Sequence, residues 1–235
     1  MDDSKFNSTD WAFFAAFAVV ALIFITDGWR RRVTQNKRFA VLAAAFGAAV
    51  TKVDKFEQCF ETTVGERAFV VTEKLVSTGT GKSSSSSYKF ISSTTLAGKA
   101  WESHFFTVRP RGSVELWLVK KLLFRSKKPL AQKLEGAIHE GSFSSDFTVV
   151  YDRGVLPPNW LNSSAKDAIR AFYVQPESVA KLDLEALNAE SGRLETRLST
   201  PYKKLNASNL KALLERQARV ADAIEAAVRT ALHFQ

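Results

Sequence analysis

Residues 11–32 read WAFFAAFAVVALIFITDGWRRR, and the solvent this stretch prefers decides how the rest of the chain is arranged. From Trp11 to Ile25 no side chain is charged or strongly polar, and Thr26, Asp27 and Gly28 extend the run to Trp29. A helix of that length reaches roughly 28 Å at about 1.5 Å per residue, close to the roughly 30 Å hydrocarbon thickness of a bilayer. Trp11 and Trp29 then fall at the two interfaces, where an indole is most comfortable, with Asp10 placed to cap the helix. Asp27 falls near the far headgroups, within one turn of the arginines.

Two rival readings explain the stretch less well. A cleaved signal peptide carries its positive charge before the apolar run and small residues after it. Here Asp2, Asp3 and Asp10 stand against Lys5 alone before the run, and Arg30, Arg31 and Arg32 follow it. A core helix that is apolar on every face needs partners all round, and it leaves the aromatic and arginine flanks without a reason. The positive-inside rule then orients the span, since Arg30, Arg31, Arg32, Lys37 and Arg38 all follow it. The expectation is a single-pass protein of the cell inner membrane, with residues 1–10 outside, 11–29 transmembrane, 30–50 a basic juxtamembrane segment and helix, and 51–235 a cytoplasmic α+β domain.

Charge sharpens this picture. The chain carries 33 basic and 24 acidic residues, for a net charge of +9. Lys5 and four aspartates precede Arg30, so 32 basic against 20 acidic residues follow, a net +12 in the domain. A basic domain tethered beside an anionic leaflet gains about 1 kcal/mol per basic group near the surface. The lone Cys59 excludes an internal disulfide, and His104, His139 and His233 have no metal-ligand spacing, so no cofactor is expected.

Downstream, RFAVLAAAFGAAV (residues 38–50) is too short to span and reads as a helix continuing from the membrane and packing on the domain, with a re-entrant hairpin as the alternative. Strand composition then recurs in FEQCFETTV (56–64), AFVVTEKLVST (68–78) after a GER turn, YKFISSTTL (88–96) and WESHFFTVRP (101–110), with GTGKSSSSS (79–87) read as a loop. VELWLVKKLLF (114–124) reads as a helix, and AQKLEGAIHEG (131–141) as a short helix or turn before the strand DFTVVYD (146–152). The next helix is predicted to start at the Pro157–Pro158 pair and to stop before Pro176. LDLEAL and RLETRLST around NAESG predict a hairpin. Residues 208–232 place Leu210, Leu213, Leu214, Val220, Ala221, Ile224, Val228 and Leu232 on one stripe of an amphipathic helix capped by Ser208. The fold expected is α+β: an N-terminal transmembrane helix, then an antiparallel sheet of six or seven strands with packed helices and a long C-terminal amphipathic helix.

Catalytic motifs fail on inspection. GTGKS matches the end of a phosphate-binding loop, yet Val76 stands where the full signature needs glycine, and the serines that follow are poor helix formers. There is no GxSxG elbow, and Cys59 reads as a small core residue. An enzyme with a dispersed active site stays open as an alternative, recognisable by a pocket of convergent polar groups. The interaction candidate is the cluster Arg109, Arg111, Lys120, Lys121, Arg125, Lys127 and Lys128, interleaved with Trp101, Phe105, Phe106, Trp117 and Phe124. Phosphate contacts with stacking would hold single-stranded nucleic acid, but tethered anionic lipid or another protein accounts for the same charge at lower cost, and a solvated basic face is the plainest reading.

An anchor with an arginine stop, an alanine-rich helix, paired strands, then FFTVRPRG, SDFTVVYD, LNSSAKDAIRAF, a hairpin and a final helix resembles uncharacterised membrane-anchored bacterial proteins, domains of unknown function. The resemblance implies a non-enzymatic, membrane-associated role and carries no site residue over. A PH-like barrel is a second analogy, drawn from many strands followed by one terminal helix.

Overall fold

The structure is a computed structural model that describes residues 8–54, 56–78, 85–102, 105–110, 141–151, 160–174, 182–198 and 205–233. Helix α1 (Ser8–Ala45) is one unbroken helix of 38 residues. The apolar run and the alanine-rich segment are its two halves, continuous as expected, because nothing from Arg30 to Arg38 breaks a helix. It begins before Asp10, which therefore lies in the first turn rather than at the cap. Phe46 and Gly47 end it, Gly47 with φ of 67° donating back to the Ala44 carbonyl.

The domain is α+β, with eight strands in one antiparallel sheet among the described residues, one more than the upper expectation. They are β1 (Thr51–Lys52), β2 (Glu57–Val64), β3 (Arg67–Thr78), β4 (Ser85–Thr95), β5 (Phe105–Pro110), β6 (Phe147–Tyr151), β7 (Leu184–Glu190) and β8 (Arg193–Leu198). The unforeseen member is β1, whose two residues are too few to show alternation. Spatial order is β1-β2-β3-β4-β8-β7-β5-β6. A meander of four strands is thus extended by β8, which pairs with β4 from Phe90↔Leu198 to Thr95↔Arg193. β1 and β6 are the two ends, so among the described residues the sheet is open and not a PH-like barrel.

The β2–β3 hairpin closes on Gly65 and Glu66, as the GER stretch predicts, with Val64↔Arg67 the first pair. The serine run is only partly a loop: Ser85, Ser86 and Ser87 belong to β4, opposite Thr78, Ser77 and Val76, because a long partner strand supplies the ladder bonds that serine's own propensity does not favour. Strand β5 starts at Phe105; Trp101 ends a 3-10 turn (Lys99–Trp101).

Short helix α2 (Gly141–Asp146) precedes β6. Helix α3 (Ser163–Tyr173) starts at Asn162, whose side chain accepts from the Ala165 amide at 3.0 Å, and not at the proline pair. Helix α4 (Ala207–His233) is capped by Asn206, which accepts from the Asn209 amide at 2.8 Å, so Ser208 is already inside it. α3 and α4 pack together and α4 lies on the sheet, burying Leu210, Leu213, Leu214, Val220, Ala221, Ile224 and Val228, while Lys211, Arg219, Asp222 and Arg229 face out.

Two aromatic groups anchor the core. Phe39 of α1 sits 5.3 Å from Phe60 and 6.2 Å from Phe90, clamping the second half of α1 to β2 and β4. Trp101, Phe106 and Trp160 pack around β5 at the other end. Between them fully buried Gln217 donates to the Ser92 and Leu194 carbonyls at 3.1 and 2.8 Å and accepts from the Ser92 hydroxyl at 2.5 Å. That amide ties α4 to β4 and β8.

Candidate functional site: a cavity at the foot of the first helix

On β3 the residues facing the helices are Phe69, Val71, Glu73 and Leu75; on β2 they are Val64, Phe60 and Gln58, with Phe56 just before the strand. Pleat parity thus carries an apolar face into a polar row, with Gln58 directly opposite Glu73 and Glu73 opposite Phe90. Helix α1 changes character at the same level. Phe39, Leu42 and Ala43 are buried against the sheet, whereas one to three turns earlier Asn36, Val33, Arg32 and Trp29 stand back from it. The gap is a cavity of about 340 Å³ between α1 and the end of the sheet.

Its inner wall is polar and buried. Glu73 is 1% exposed, and the Gln58 side-chain amide donates to its carboxylate. The same amide approaches Asn36 Oδ1 of α1 at 3.4 Å. Tyr88 of β4 also lines the cavity, its phenol pushed above the ordinary value by burial first and by the Glu73 charge second, with Arg32 pulling the other way. The mouth carries Arg32, whose guanidinium lies 5.5 Å over the Phe56 ring, and exposed Lys52 of β1. Of the two acids at the rim, Glu57 is bound to Lys74 at 2.6 Å and Asp54 accepts from the Phe56 amide at 2.5 Å.

Trp29 joins this cavity to the apolar half of α1. Trp11 and Trp29 are each 67% exposed and lie 18 residues, about 27 Å, apart along the helix. Every large apolar side chain described between them is exposed, from 48% at Val20 to 75% at Phe13. The chain has one helix long and apolar enough to cross a membrane among the described residues. Arg30 and Arg32 occupy the turn after Trp29; the Arg31 side chain lies outside the described residues. Thr26, the polar side chain late in the run, bonds back to the Leu22 and Ile23 carbonyls at 2.8 and 3.0 Å.

Of the basic cluster, Arg109 lies on β5, half-buried on the face opposite Phe106 and Val108, its Nε without a partner among the described residues. Arg111, Lys120, Lys121, Arg125, Lys127 and Lys128 lie outside the described residues, as do Trp117, Phe124, His104, His139 and the loop 79–84. Trp101 and Phe106, paired with that cluster in the sequence reading, are 1% and 0% exposed and belong to the core, so neither offers a ring for stacking. Cys59 faces away from the core, and burial together with Glu61 and Glu57 pushes its thiol pKa up, which makes it a poor nucleophile. Among the described residues no group of three metal-ligating side chains converges.

No family model, curated protein or solved structure matches the chain. Sequence reading passed over Glu73, Gln58 and Tyr88. The signal was present: in AFVVTEKLV a glutamate stands in phase with Phe69 and Val71, where a half-buried strand asks for an apolar residue.

Proposed function

We propose that the chain is a single-pass membrane protein in which residues 11–29 of α1 cross the lipid and the basic α+β domain is held on the cytoplasmic face as a binding or scaffold module. The exposed first half of α1 carries this reading. Phe13, Phe14, Phe17, Val19, Val20, Leu22, Ile23 and Ile25 cover every side of the helix, and leaving them in water costs on the order of 10 kcal/mol. That is as large as the whole stability of a typical domain, about 5–15 kcal/mol. A self-associating helix would hide one stripe and leave the rest wet, whereas lipid accepts all sides at once.

Basic residues on the domain side of Trp29 supply the orientation. Arg30, Arg31, Arg32, Lys37 and Arg38 follow the span within ten residues, and each basic group near an anionic leaflet adds about 1 kcal/mol of attraction. Lys37 and Arg38 also line a second groove of about 620 Å³ between α1 and the start of α4. The amphipathic closing helix α4 and the cavity at Glu73 make the domain a packed platform for binding a ligand at the membrane surface.

Carbonate washing of membranes, followed by protease treatment of spheroplasts and of inverted vesicles, tests this. The full chain is expected to stay in the washed pellet, with the domain digested only in inverted vesicles. Release by carbonate, or digestion of the domain in intact spheroplasts, would overturn the anchor or its orientation.

A further inference from the structure

Helix α1 and strand β2 run side by side and in the same direction. Arg32 lies over the Phe56 ring, Asn36 lies 3.4 Å from the Gln58 amide, and Phe39 packs on Phe60. From the first of these contacts to the last the helix advances about 10.5 Å and the strand about 13 Å, so their axes are only modestly inclined. β3 therefore runs back toward the apolar half of α1, and the β3–β4 hairpin points the same way as that half.

That hairpin outruns its neighbours. The Phe56 carbonyl accepts from the Leu75 amide at 3.0 Å, and Leu75 pairs with Tyr88, so these residues share a level with Arg32. Three more pairs follow, from Val76↔Ser87 to Thr78↔Ser85, whereas β2 pairs with β3 no further than Glu57↔Lys74 and β8 leaves β4 at Phe90. The protruding pairs form a two-stranded ribbon about 10 Å long, an arrangement that is marginal in water by itself. Every residue in it except Val76 carries a hydroxyl: Ser77, Thr78, Ser85, Ser86 and Ser87.

Position identifies the surroundings. Arg32 is about 4.5 Å beyond Trp29 along α1, so with Trp29 at the hydrocarbon boundary the ribbon crosses the headgroup layer, roughly 5–8 Å deep. The adjoining β1–β2 turn has matching chemistry: Val53 and Phe56 are 59% and 48% exposed, and exposed Lys52 stands beside them. The acids of that turn are already engaged, Asp54 by the Phe56 amide and Glu57 by Lys74. We propose that the domain rests on the leaflet that α1 leaves, with Lys52 and Arg32 on the phosphates of anionic phospholipids, Val53 and Phe56 among the glycerol esters, and the ribbon among the headgroups. This rests on reading α1 as a membrane span.

Headgroups suit this rim better than a soluble partner does. A hydroxyl both donates and accepts, so serine and threonine serve phosphate and ester oxygens alike without a fixed register. A ribbon with one apolar residue in six stays at the level of the headgroups, since burying its hydroxyls in hydrocarbon would leave them without partners. Lys52 and Arg32 add the charge that draws a domain to an anionic surface.

The intact chain carrying Cys59→Ser is reconstituted in vesicles of phosphatidylethanolamine and phosphatidylglycerol, and a fluorophore is attached in turn at Ser87→Cys, Val53→Cys and Glu66→Cys. The last site, in the β2–β3 turn about 30 Å further along the strands, is the control. A lipid bearing a nitroxide on its headgroup is expected to quench the labels at 87 and 53 and to leave the label at 66 bright. Lys52→Glu, at an exposed position, should lower the ratio of docked to undocked domain read at position 87 by roughly tenfold, and Lys52→Arg should leave it unchanged. Bright labels at 87 and 53 in a chain that withstands carbonate washing would overturn the docking surface and leave the span standing. Equal quenching at all three sites, or an unchanged ratio in Lys52→Glu, would overturn it too. Release by carbonate would overturn the span and this proposal with it.

Discussion

Tyr173 places a phenol where only its neutral form fits: the hydroxyl donates to the Val108 carbonyl at 2.7 Å, and burial raises its pKa well beyond the ordinary range. A group whose folded pKa is raised contributes stability that is complete below its unfolded pKa, about 10 for tyrosine, and is lost as pH climbs above it. Denaturant titration of the micelle-solubilised chain between about pH 8 and pH 11 should therefore show stability falling above pH 10, by up to about 1.4 kcal/mol per pH unit for this group. Tyr88 acts in the same direction. Tyr173→Phe should cost about 1 kcal/mol at neutral pH and flatten the alkaline decline; an unchanged slope would show that the phenol titrates normally. Gln217 presents the complementary case. Gln217→Leu keeps the volume but removes the acceptor of the buried Ser92 hydroxyl and the bonds to two carbonyls, and the same titration at neutral pH should read a loss of about 2–3 kcal/mol. Neither role was legible in the sequence, because Tyr173 and Gln217 acquire their partners from strands 65 and 125 residues away. Composition shows a residue's type, and long-range packing decides its work.

At the scale of elements, local chemistry was legible wherever it was self-contained. The β7–β8 hairpin around NAESG forms where expected, with Ser191 at φ of 52° and Gly192 at φ of 75° as a two-residue turn. Glycine adopts that backbone at little cost, whereas serine does so under strain of about 1 kcal/mol. Ser191→Asn should then raise the melting temperature, and Gly192→Ala should lower stability by about 1 kcal/mol or more, both by thermal unfolding followed by circular dichroism. A neutral Gly192→Ala would deny the positive φ. Helix starts were less legible: Asn162 and Asn206 cap α3 and α4, whereas prolines and a serine a few residues away gave the stronger sequence signal. The continuation of α1 beyond Trp29 into the alanine-rich segment was legible, since the arginine-rich turn is good helix sequence.

The whole molecule is organised by one helix with two unlike halves. Its first half is apolar on all sides and exposed among the described residues; its second half buries Phe39, Leu42 and Ala43 in the domain core, so the proposed anchor and the fold share one helix with the Glu73 cavity at the junction. The long apolar helix and the α+β class were legible because both are written in runs and periods. The cavity was not, because it arises from the register of β2 against β3 and the place where α1 turns from an exposed apolar run to a face packed on the sheet. The most direct measurement of this arrangement is a spin-label scan along α1 of the reconstituted full chain, comparing collision with oxygen, which concentrates in lipid, and with a water-soluble nickel complex. The account predicts high oxygen and low nickel accessibility at every position tested from 13 to 25. It also predicts a change at Trp29, and beyond it protection from both reagents at Phe39, Leu42 and Ala43 beside nickel access at Lys37 and Val41. Nickel access recurring with helical period between 13 and 25, or protection from both reagents throughout that stretch, would contradict it.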